Sequence, residues 1–357
     1  MKTAIIGLPM VGKSSLFTIL TGVHEAARMG SMEVRVGVAK VPDPRLTALA
    51  AVFNPPKITH ATVEYLDTPS ISKESLRDAS LLASLRIVDA FAHVLRVFAS
   101  DTVPHEKGSV DPVRDADDLD IELILSDLVV VEKRMERVEK DRKKNKSPEL
   151  DRELALLERC RQALEDNRPL RTLDLAAEEE KLIRGFQFLS QKPMLYVLNL
   201  GESDAERLKL LEEEYRTGKL AGRPGTGVAA ICGKIEAELA ELAGDDAQEM
   251  MATYGLTESG LERLIQRTYD LLGLMSFLTA GDTEVRAWTI PKHCTAPKAA
   301  GAIHSDFEKK FIRAEAVHWK ELVDHNGYAG LRGTPLLRLE GKEYIVKDGD
   351  VLVIRHS

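Results

Sequence analysis

The sequence predicts an α/β protein with a helical hairpin inserted into its main domain and a small α+β domain at its C-terminus. Short apolar segments alternate with helical patterns in residues 1–114 and 186–275, which is typical of a parallel sheet. A heptad pattern of apolar residues occupies much of 115–185, and the pattern changes again in 276–357. We therefore expect three domains with these boundaries, the first of them discontinuous.

The composition is that of a folded protein and excludes several classes. Of the 357 residues, 44% are hydrophobic and 30% are charged, so a sizeable core can form. The formal net charge of −8 argues against indiscriminate binding of nucleic acid. The three cysteines, Cys160, Cys232 and Cys294, lack metal spacing and suggest a reducing compartment. No apolar run reaches the ~18 residues of a membrane span, so we expect a cytoplasmic protein with no membrane partner.

The first domain contains apolar segments that we interpret as buried strands, followed by helical patterns. The predicted strands are residues 4–6, 61–66, 92–98, 193–198 and 227–231. The predicted helices are residues 14–21, 76–88 and 261–272.

The inserted segment reads as two helices joined by a polar turn. Apolar residues spaced 3, 4, 3, 4 and 3 apart form a heptad seam: Ile121, Ile124, Leu128, Val131, Met135 and Val138. Residues 143–148 interrupt the pattern, and Leu150, Leu154, Leu157 and Leu164 resume it. This arrangement predicts an antiparallel helical hairpin.

The C-terminal segment predicts a domain of about 80 residues. Its strands are expected at residues 285–290, 344–346 and 351–354, with a helix over 297–311 and a turn at 347–350.

The clearest functional motif follows the first predicted strand. Gly7, Gly12, Lys13 and Ser14 occupy every fixed position of the pattern GxxxxGK[ST]. The glycines let backbone N–H groups surround a phosphate, the lysine neutralises it, the serine hydroxyl ligates Mg²⁺, and the helix N-terminus favours the anion. We predict a nucleoside triphosphate site with Mg²⁺ formed by Met10, Val11, Gly12, Lys13, Ser14 and Ser15. A chance glycine loop is the alternative.

Other predicted strands end in polar residues that could complete this site. Asp67 follows one strand, at the place where P-loop proteins keep an aspartate on the Mg²⁺ side. Asn199 ends another strand, and Glu202 follows three residues later, so the pair could hold a base edge. The alternatives are a turn aspartate before Pro69 and a capped turn.

Longer phrases resemble the YchF-type Obg-like ATPases over nearly the whole chain. They are the P-loop with Leu8-Pro9, residues 41–46, and the C-terminal segments 277–281, 284–289, 295–300, 306–309, 311–315 and 344–350. The resemblance implies an Obg-type P-loop NTPase G domain, an inserted coiled coil and a C-terminal TGS domain, which is a β-grasp fold. It also implies ATPase activity with Mg²⁺ and a preference for ATP over GTP.

The resemblance also assigns residues. Asn199, Leu200 and Glu202 match the NxxE form that replaces the guanine-selecting NKxD, while Cys232 and Gly233 match the last base-contacting loop. Guanine selection uses an aspartate that accepts two hydrogen bonds, and adenine offers no matching pair of donors. Ser31 lies at the switch I threonine position, so the implied metal ligands are Ser14, Ser31 and Asp67.

Two departures from the family pattern affect the phosphate end. The second switch normally begins Asp-x-x-Gly, whereas this chain has Asp67-Thr68-Pro69-Ser70 with no glycine before Leu76. Met10 replaces the usual asparagine. The missing glycine normally donates an N–H to the γ-phosphate and allows the switch to move. We expect nucleotide binding to survive and hydrolysis to be slow or altered.

The resemblance also implies that a histidine takes the water-orienting role. His105 lies in a loop that matches the family pattern through Gly108 and Asp111-Pro112, so it is the predicted catalytic residue beside Lys13. A solvated loop histidine is the alternative. His93 is expected to pack in the core, and His304 to pack or cap a helix.

Residues 133–146 hold eight Lys or Arg against three acids, which makes a basic tip on an acidic protein. Such a patch suits phosphate backbones, although a solvated coiled-coil face is the plainer interpretation. The resemblance favours the ribosome as partner, through rRNA or ribosomal protein at the basic tip and the TGS domain. We expect a monomer.

Three functions remain open from the sequence. They are a ribosome-associated ATPase that switches conformation, a GTP-preferring Obg-class GTPase, and a nucleotide-binding scaffold with weakened hydrolysis.

Overall fold

The computed structural model describes residues 1–24, 33–72, 74–144, 147–242 and 244–357. These residues form two compact units. One comprises Met1–Val38 with Glu64–Arg267, and the other comprises Ala39–Val63 with Thr268–Ser357.

Strands and helices are numbered along the chain. The strands are β1 (Lys2–Ile6), β2 (Arg35–Lys40), β3 (Ile58–Thr59), β4 (Thr62–Asp67), β5 (Ala90–Arg96), β6 (Met194–Asn199), β7 (Thr226–Ile231), β8 (Leu274–Ala280), β9 (Val285–Pro291), β10 (Phe311–His318), β11 (Arg338–Glu340) and β12 (Asp350–His356). The helices are α1 (Lys13–Thr21), α2 (Pro44–Phe53), α3 (Ala79–Arg86), α4 (Pro112–Lys144), α5 (Pro148–Glu165), α6 (Ala177–Ile183), α7 (Leu208–Glu214), α8 (Gly233–Glu241), α9 (Asp245–Thr253), α10 (Gly260–Leu271), α11 (Ala296–Ile303), α12 (Ser305–Lys309) and α13 (Trp319–Asp324). Short 3₁₀ turns lie at Ser75–Arg77, Leu170–Thr172, Arg184–Phe186 and Glu202–Arg207, and a π-helical turn lies at Tyr215–Lys219.

The first sheet has the order β2-β4-β1-β5-β6-β7. The pairs β4–β1, β1–β5, β5–β6 and β6–β7 are parallel. Every residue of β5 and β6 is buried, as expected for central strands covered on both faces. The carboxyl ends of these parallel strands meet at one edge of the sheet, where open α/β folds place their ligands.

The hairpin forms as predicted, with α4 and α5 joined near Ser147, whose hydroxyl accepts from the N–H of Glu149. Ile124, Val131 and Val138 are buried in the seam. Ile121, however, is 40% exposed, so its predicted place in the seam is wrong. The helix α5 has only 18 residues, and its buried side chains cluster with those of Ile124 to Val138 in α4. The proximal part of α4 turns a different face inward, burying Ala116, Leu119 and Leu123 in the core of the sheet.

The predicted helix over 76–88 is broken in two. A 3₁₀ turn covers Ser75–Arg77, and α3 begins after Asp78, whose carboxylate accepts from the N–H of Leu81. An aspartate at this position satisfies a free N–H of the first helical turn and fixes the start of the helix there.

The second unit contains a mixed sheet with the order β11-β10-β12-β8-β9-β3. Its β12 and β8 are parallel, while β10–β12 and β8–β9 are antiparallel. The helix α11 buries Ala296, Ala299 and Ala300 against core residues of this sheet that include Phe277. In this sheet β8, the first long strand after residue 267, lies parallel to β12, the last strand, and α11 packs on the sheet. This arrangement agrees with the expected β-grasp fold.

Two predictions for this unit are wrong. The helix expected over 297–311 divides into α11 and α12, and Phe311 already belongs to β10. His304 lies at the break, where its Nδ1 accepts from the N–H of Asp306, which confirms its predicted capping role. The strand expected over 344–346 forms only one isolated bridge, between Thr295 and Ile345.

The predicted fold class is confirmed in its main features, a parallel-type α/β sheet with an inserted hairpin and a C-terminal α+β sheet. Among the described helices, none combines the length and apolar character needed to cross a bilayer.

Candidate functional site

The phosphate loop follows β1 directly and leads into α1. Gly7 has φ 143°, and a Cβ there would lie 2.7 Å from the carbonyl oxygen of Val94. Gly12 has φ 102°, and a Cβ there would lie 2.5 Å from Nδ2 of Asn199. Both positions therefore require glycine because of backbone conformation and lack of space.

Lys13 is buried beneath this loop. Its Nζ donates to the carbonyl oxygen of Leu8 at 2.6 Å and to Oγ of Ser70 at 3.0 Å. Burial lowers the pKa of Lys13 to about 8, while the negative charges of Asp67 and Glu106 oppose this shift. Within the described ranges no carboxylate forms an ion pair with this ammonium group, and a desolvated ammonium in that state is well suited to an incoming anion.

The side chains around the loop differ in exposure. Ser14 and Ser15 are exposed in the first turn of α1, so both hydroxyls are available to a ligand. Met10 is 56% exposed at φ 59°, whereas Val11 is buried. Ser14 and Ser15 thus lie at the helix N-terminus that follows the loop, which is where such loops bind phosphates.

Asp67 ends β4 and is buried. Its Oδ2 forms an ion pair with the guanidinium of Arg35, which also lies over the ring of Phe17. Its Oδ1 has no hydrogen-bond partner within the described part of the chain. A buried carboxylate oxygen without a partner and the exposed Ser14 hydroxyl are hard oxygen donors, so these residues fit Mg²⁺. Ser31, the other predicted ligand, lies outside the described residues.

Asn199 connects two loops at the end of β6. Its Nδ2 donates to the carbonyl oxygen of Val11 at 2.9 Å, and its Oδ1 accepts from the N–H of Gly233 at 3.1 Å. Both hydrogen-bonding ends of the amide are therefore used by the protein itself. This places the phosphate loop and the start of α8 beside each other.

The other predicted base-contacting residues are arranged around this junction. Leu200 and Cys232 are buried, and burial raises the pKa of the Cys232 thiol. The N–H of Leu200 donates to the carbonyl oxygen of Ile231. Glu202 is more exposed, and its Oε2 lies 2.7 Å from Nζ of Lys234.

His105 is held in its loop by hydrogen bonds on both ring nitrogens. Its Nε2 lies 3.0 Å from Oδ2 of Asp115, and its Nδ1 accepts from the N–H of Lys107 at 3.1 Å. This pattern assigns the ring proton to Nε2. The side chain is only 5% exposed, so His105 is not the solvated loop histidine considered as the alternative.

Arg96 is a residue of this region that sequence reasoning missed. It is buried at the end of β5, and its guanidinium donates to the carbonyl oxygens of Phe98, Val103 and Pro104. These bonds fix the path of the loop that reaches His105. A charged residue inside an otherwise apolar predicted strand was the available signal.

His93 is fully buried in β5, which confirms its predicted place in the core. Neither ring nitrogen has a hydrogen-bond partner among the described residues. Burial lowers the pKa of His93 to about 3, and the positive charges of Lys13, Arg171 and Arg223 act in the same direction.

Comparison with known proteins gives the family. A family model described as 50S ribosome-binding GTPase matches residues 2–200, and the C-terminal YchF GTPase model, described as a protein of unknown function, matches 274–357. The ribosome-binding ATPase YchF of Bacillus subtilis (strain 168) is 40% identical over 364 residues, which cover 100% of this chain and 99% of that protein. The chain belongs to the YchF family.

Other YchF proteins give the same result. The ribosome-binding ATPase YchF of Escherichia coli O157:H7 is 41% identical over 358 residues, covering 98% of each chain. The solved structure of the Schizosaccharomyces pombe YchF GTPase superposes with a TM-score of 0.85 at 29% identity, covering 99% of this chain and 97% of that one. The resemblance proposed from the sequence is thus confirmed, and so is the implied fold.

Proposed function

We propose that this chain binds ATP with Mg²⁺ at residues 7–14, hydrolyses it, and works as a ribosome-associated conformational switch. The observation that carries the proposal is the buried Lys13, whose ammonium group bonds the loop at Leu8, followed by the exposed Ser14 and Ser15 in the first turn of α1. The YchF proteins of Bacillus subtilis and Escherichia coli are named ribosome-binding ATPases.

The site holds groups for the phosphates and for the cation. Ser14 and Asp67 would hold Mg²⁺, with Ser31 proposed as a further ligand. When bound, Mg²⁺ supplies positive charge beside the β- and γ-phosphate oxygens. Lys13 supplies a fixed charge on the other side, and backbone N–H groups at the start of α1 complete the cradle. Catalysis then rests mainly on positioning and charge.

We assign the water-orienting role to His105. In the conformation described above, Nδ1 is occupied by the N–H of Lys107, so it must leave that bond before it can accept a proton from water. Asp115 keeps the proton on Nε2 and can stabilise a positively charged ring. Movement of the His105 loop is therefore required for each turnover.

The predicted base-contacting residues support a preference for ATP over GTP. Glu202 occupies the position from which an aspartate would accept two hydrogen bonds from guanine, but its carboxylate already pairs with Lys234 at 2.7 Å. Asn199 uses both ends of its amide within the protein. The site therefore lacks the free carboxylate that normally selects guanine. Leu200, Cys232 and Gly233 can line a base site that does not require the guanine hydrogen-bonding edge.

A GTP-preferring switch is the second candidate. It is favoured because the matched family model is described as a GTPase and the Schizosaccharomyces pombe relative is named a GTPase. Competition between ATP and GTP for a fluorescent nucleotide, on wild type and Glu202→Asp, separates the two. We expect wild type to prefer ATP and the variant to gain affinity for GTP. A strong preference for GTP in wild type would overturn the ATP assignment.

The basic tip is our candidate for ribosome contact. Two of its arginines are paired across the hairpin, Arg134 with Glu153 and Arg142 with Asp151. Arg137, Lys140 and Lys144 are exposed on the same part of α4. They form a cationic end on a helix of 33 residues, which suits rRNA or an acidic ribosomal protein. We propose the TGS domain as a second contact, a monomeric state and a cytoplasmic location.

Single-turnover hydrolysis of ATP, with and without ribosomes, tests the proposal. Wild type should hydrolyse ATP and respond to ribosomes, Lys13→Ala should lose most of the rate, and Lys181→Ala, which changes an exposed lysine of α6, should match wild type. Equal rates in wild type and Lys13→Ala, with nucleotide still bound, would instead support a scaffold that has lost turnover.

A further inference from the structure

The hydroxyl of Ser70 lies at the phosphate end of the nucleotide site. Its Oγ is 3.0 Å from Nζ of Lys13, the side chain that reaches the β- and γ-phosphates in P-loop proteins. Ser70 is partly exposed and follows Asp67 by three residues. It therefore stands where the second switch of related proteins has a glycine, and its side chain already points to Lys13.

The backbone around Ser70 is tied down on both sides. Before it, the hydroxyl of Thr68 donates to the carbonyl oxygen of Ile5 at 2.8 Å, and Pro69 restricts the backbone further. After it, the side chain of Ile71 is buried in the core of the first sheet. A segment held in this way is poorly suited to the swing that a switch glycine permits.

The next turn is also held by its own side chains. The N–H of Ser72 donates to Oγ of Ser75 at 2.8 Å, and the N–H of Ser75 donates to Oγ of Ser72 at 3.2 Å. Leu76, whose N–H donates to the carbonyl oxygen of Ser72, is buried in the same core. Only Pro69 and Ser70 lie between the two anchored residues, Thr68 and Ile71.

A serine hydroxyl can accept one hydrogen bond and donate another at the same time. Oγ of Ser70 now accepts from the ammonium group of Lys13, which leaves its own proton for a further acceptor. A phosphate oxygen bound to Lys13 would lie next to that proton.

We propose that the Ser70 hydroxyl donates a hydrogen bond to the terminal phosphate of a bound nucleoside triphosphate and so makes the site select triphosphates over diphosphates. This inference rests on the proposed nucleotide site at residues 7–14. A fixed side chain performs the recognition that a mobile backbone N–H performs in related switches. The chain can then distinguish the two nucleotide states although it lacks the switch glycine.

The test is the ratio of two dissociation constants, for Mg²⁺-bound ATPγS and for Mg²⁺-bound ADP, measured on the full chain. Ser70→Ala should weaken ATPγS binding by about tenfold or more, because a hydrogen bond to a charged group is lost, and change ADP binding by less than about twofold. Ser70→Thr keeps the hydroxyl and should keep most of the ratio. Ser80→Ala, at an exposed position of α3, is the matched control.

If Ser70→Ala changes the dissociation constants for ATPγS and ADP by the same factor, their ratio is unchanged. This result would overturn the inference and show that Ser70 only holds Lys13 in place. Ser70→Cys, which keeps the size of the side chain with a much weaker donor, gives the same comparison if the alanine variant does not fold. If wild type binds neither nucleotide, the proposed function fails and this inference with it. If wild type binds both ATPγS and ADP and Ser70→Ala leaves the ratio of the two dissociation constants unchanged, the proposed function stands and only this inference fails.

Discussion

The side-chain amide of Asn199 donates to the main-chain oxygen of Val11 at 2.9 Å, although 188 residues separate the two in sequence. The other end of the amide accepts from the N–H of Gly233. One side chain thus holds the phosphate loop against the start of α8, and the proposed nucleotide site depends on this junction.

Removing the junction should weaken binding of every nucleotide. Asn199→Ala leaves the oxygen of Val11 and the N–H of Gly233 without partners, which should lower the free energy of unfolding by about 2–4 kcal/mol. Dissociation constants for ATP and GTP should rise together, because the lost bonds join loops and do not read a base. Urea unfolding and nucleotide titration measure the two effects. A change confined to one of the two nucleotides would contradict this role.

The contact between His105 and Asp115 should matter for turnover more than for binding. His105→Ala should reduce kcat by about 100-fold or more, the usual contribution of a positioned base. Asp115→Asn should reduce kcat by a smaller factor, because the ring proton is no longer fixed on Nε2, and should leave KM within a few fold. Asp118→Asn is the control, since Asp118 pairs with Lys107 at the exposed side of the same loop.

Nitrogen chemical shifts of the His105 ring separate positioning from general damage to the loop. Wild type should show the proton on Nε2. Asp115→Asn should show a weaker preference for this tautomer, because only the N–H of Lys107 then favours it. An Asp115→Asn protein that turns over ATP as fast as wild type would rule out the positioning role.

Stability should fall in mild acid because of His93. The folded protein keeps His93 neutral down to about pH 3, whereas the unfolded chain binds a proton near the ordinary pKa of about 6.5. Below that pH the unfolded state therefore gains protons that the folded state does not, and the free energy of unfolding falls by up to about 1.4 kcal/mol per pH unit. At pH 5 the expected loss is about 2 kcal/mol.

The variant His93→Leu should remove this part of the pH dependence, and His24→Gln, at an exposed histidine, should leave it unchanged. Denaturant unfolding between pH 5 and 7.5 gives the slopes. The same slope in His93→Leu and wild type would show that other groups cause the acid sensitivity.

Charge reversal at the basic tip tests the ribosome contact. Arg137→Glu, Lys140→Glu and Lys144→Glu together should weaken ribosome binding and reduce its dependence on salt, because fewer counterions are released. Hydrolysis without ribosomes should not change. Arg152→Glu with Arg161→Glu, on exposed positions of α5, is the control. Unchanged ribosome affinity in the triple variant would show that the ribosome does not contact the basic tip.

Elements with a strong local pattern can be predicted from sequence. The predicted strands β1, β6 and β7 agree with the structure to within two residues, because largely buried parallel strands are continuous apolar runs. The helix predicted over 297–311 is wrong because its end depends on a cap made by His304, a residue with weak cap preference. The prediction for Ile121 is wrong because a heptad pattern does not tell where the partner helix ends.

The site is predictable only in part. The residues of the phosphate loop follow from a motif in which each position has a chemical reason. The pairing of Asp67 with Arg35 and the approach of Ser70 to Lys13 join segments 32 and 57 residues apart, and neither has a fixed spacing in sequence. Such contacts are set by the packing of the sheet.

The central claim is a nucleotide site built on Lys13, and calorimetric titration of ATP with Mg²⁺ into the full chain tests it most directly. Wild type should bind one ATP per chain, and Lys13→Ala should bind at least about tenfold more weakly while remaining folded. Equal affinity in the two proteins, or no binding by folded wild type, would contradict the claim.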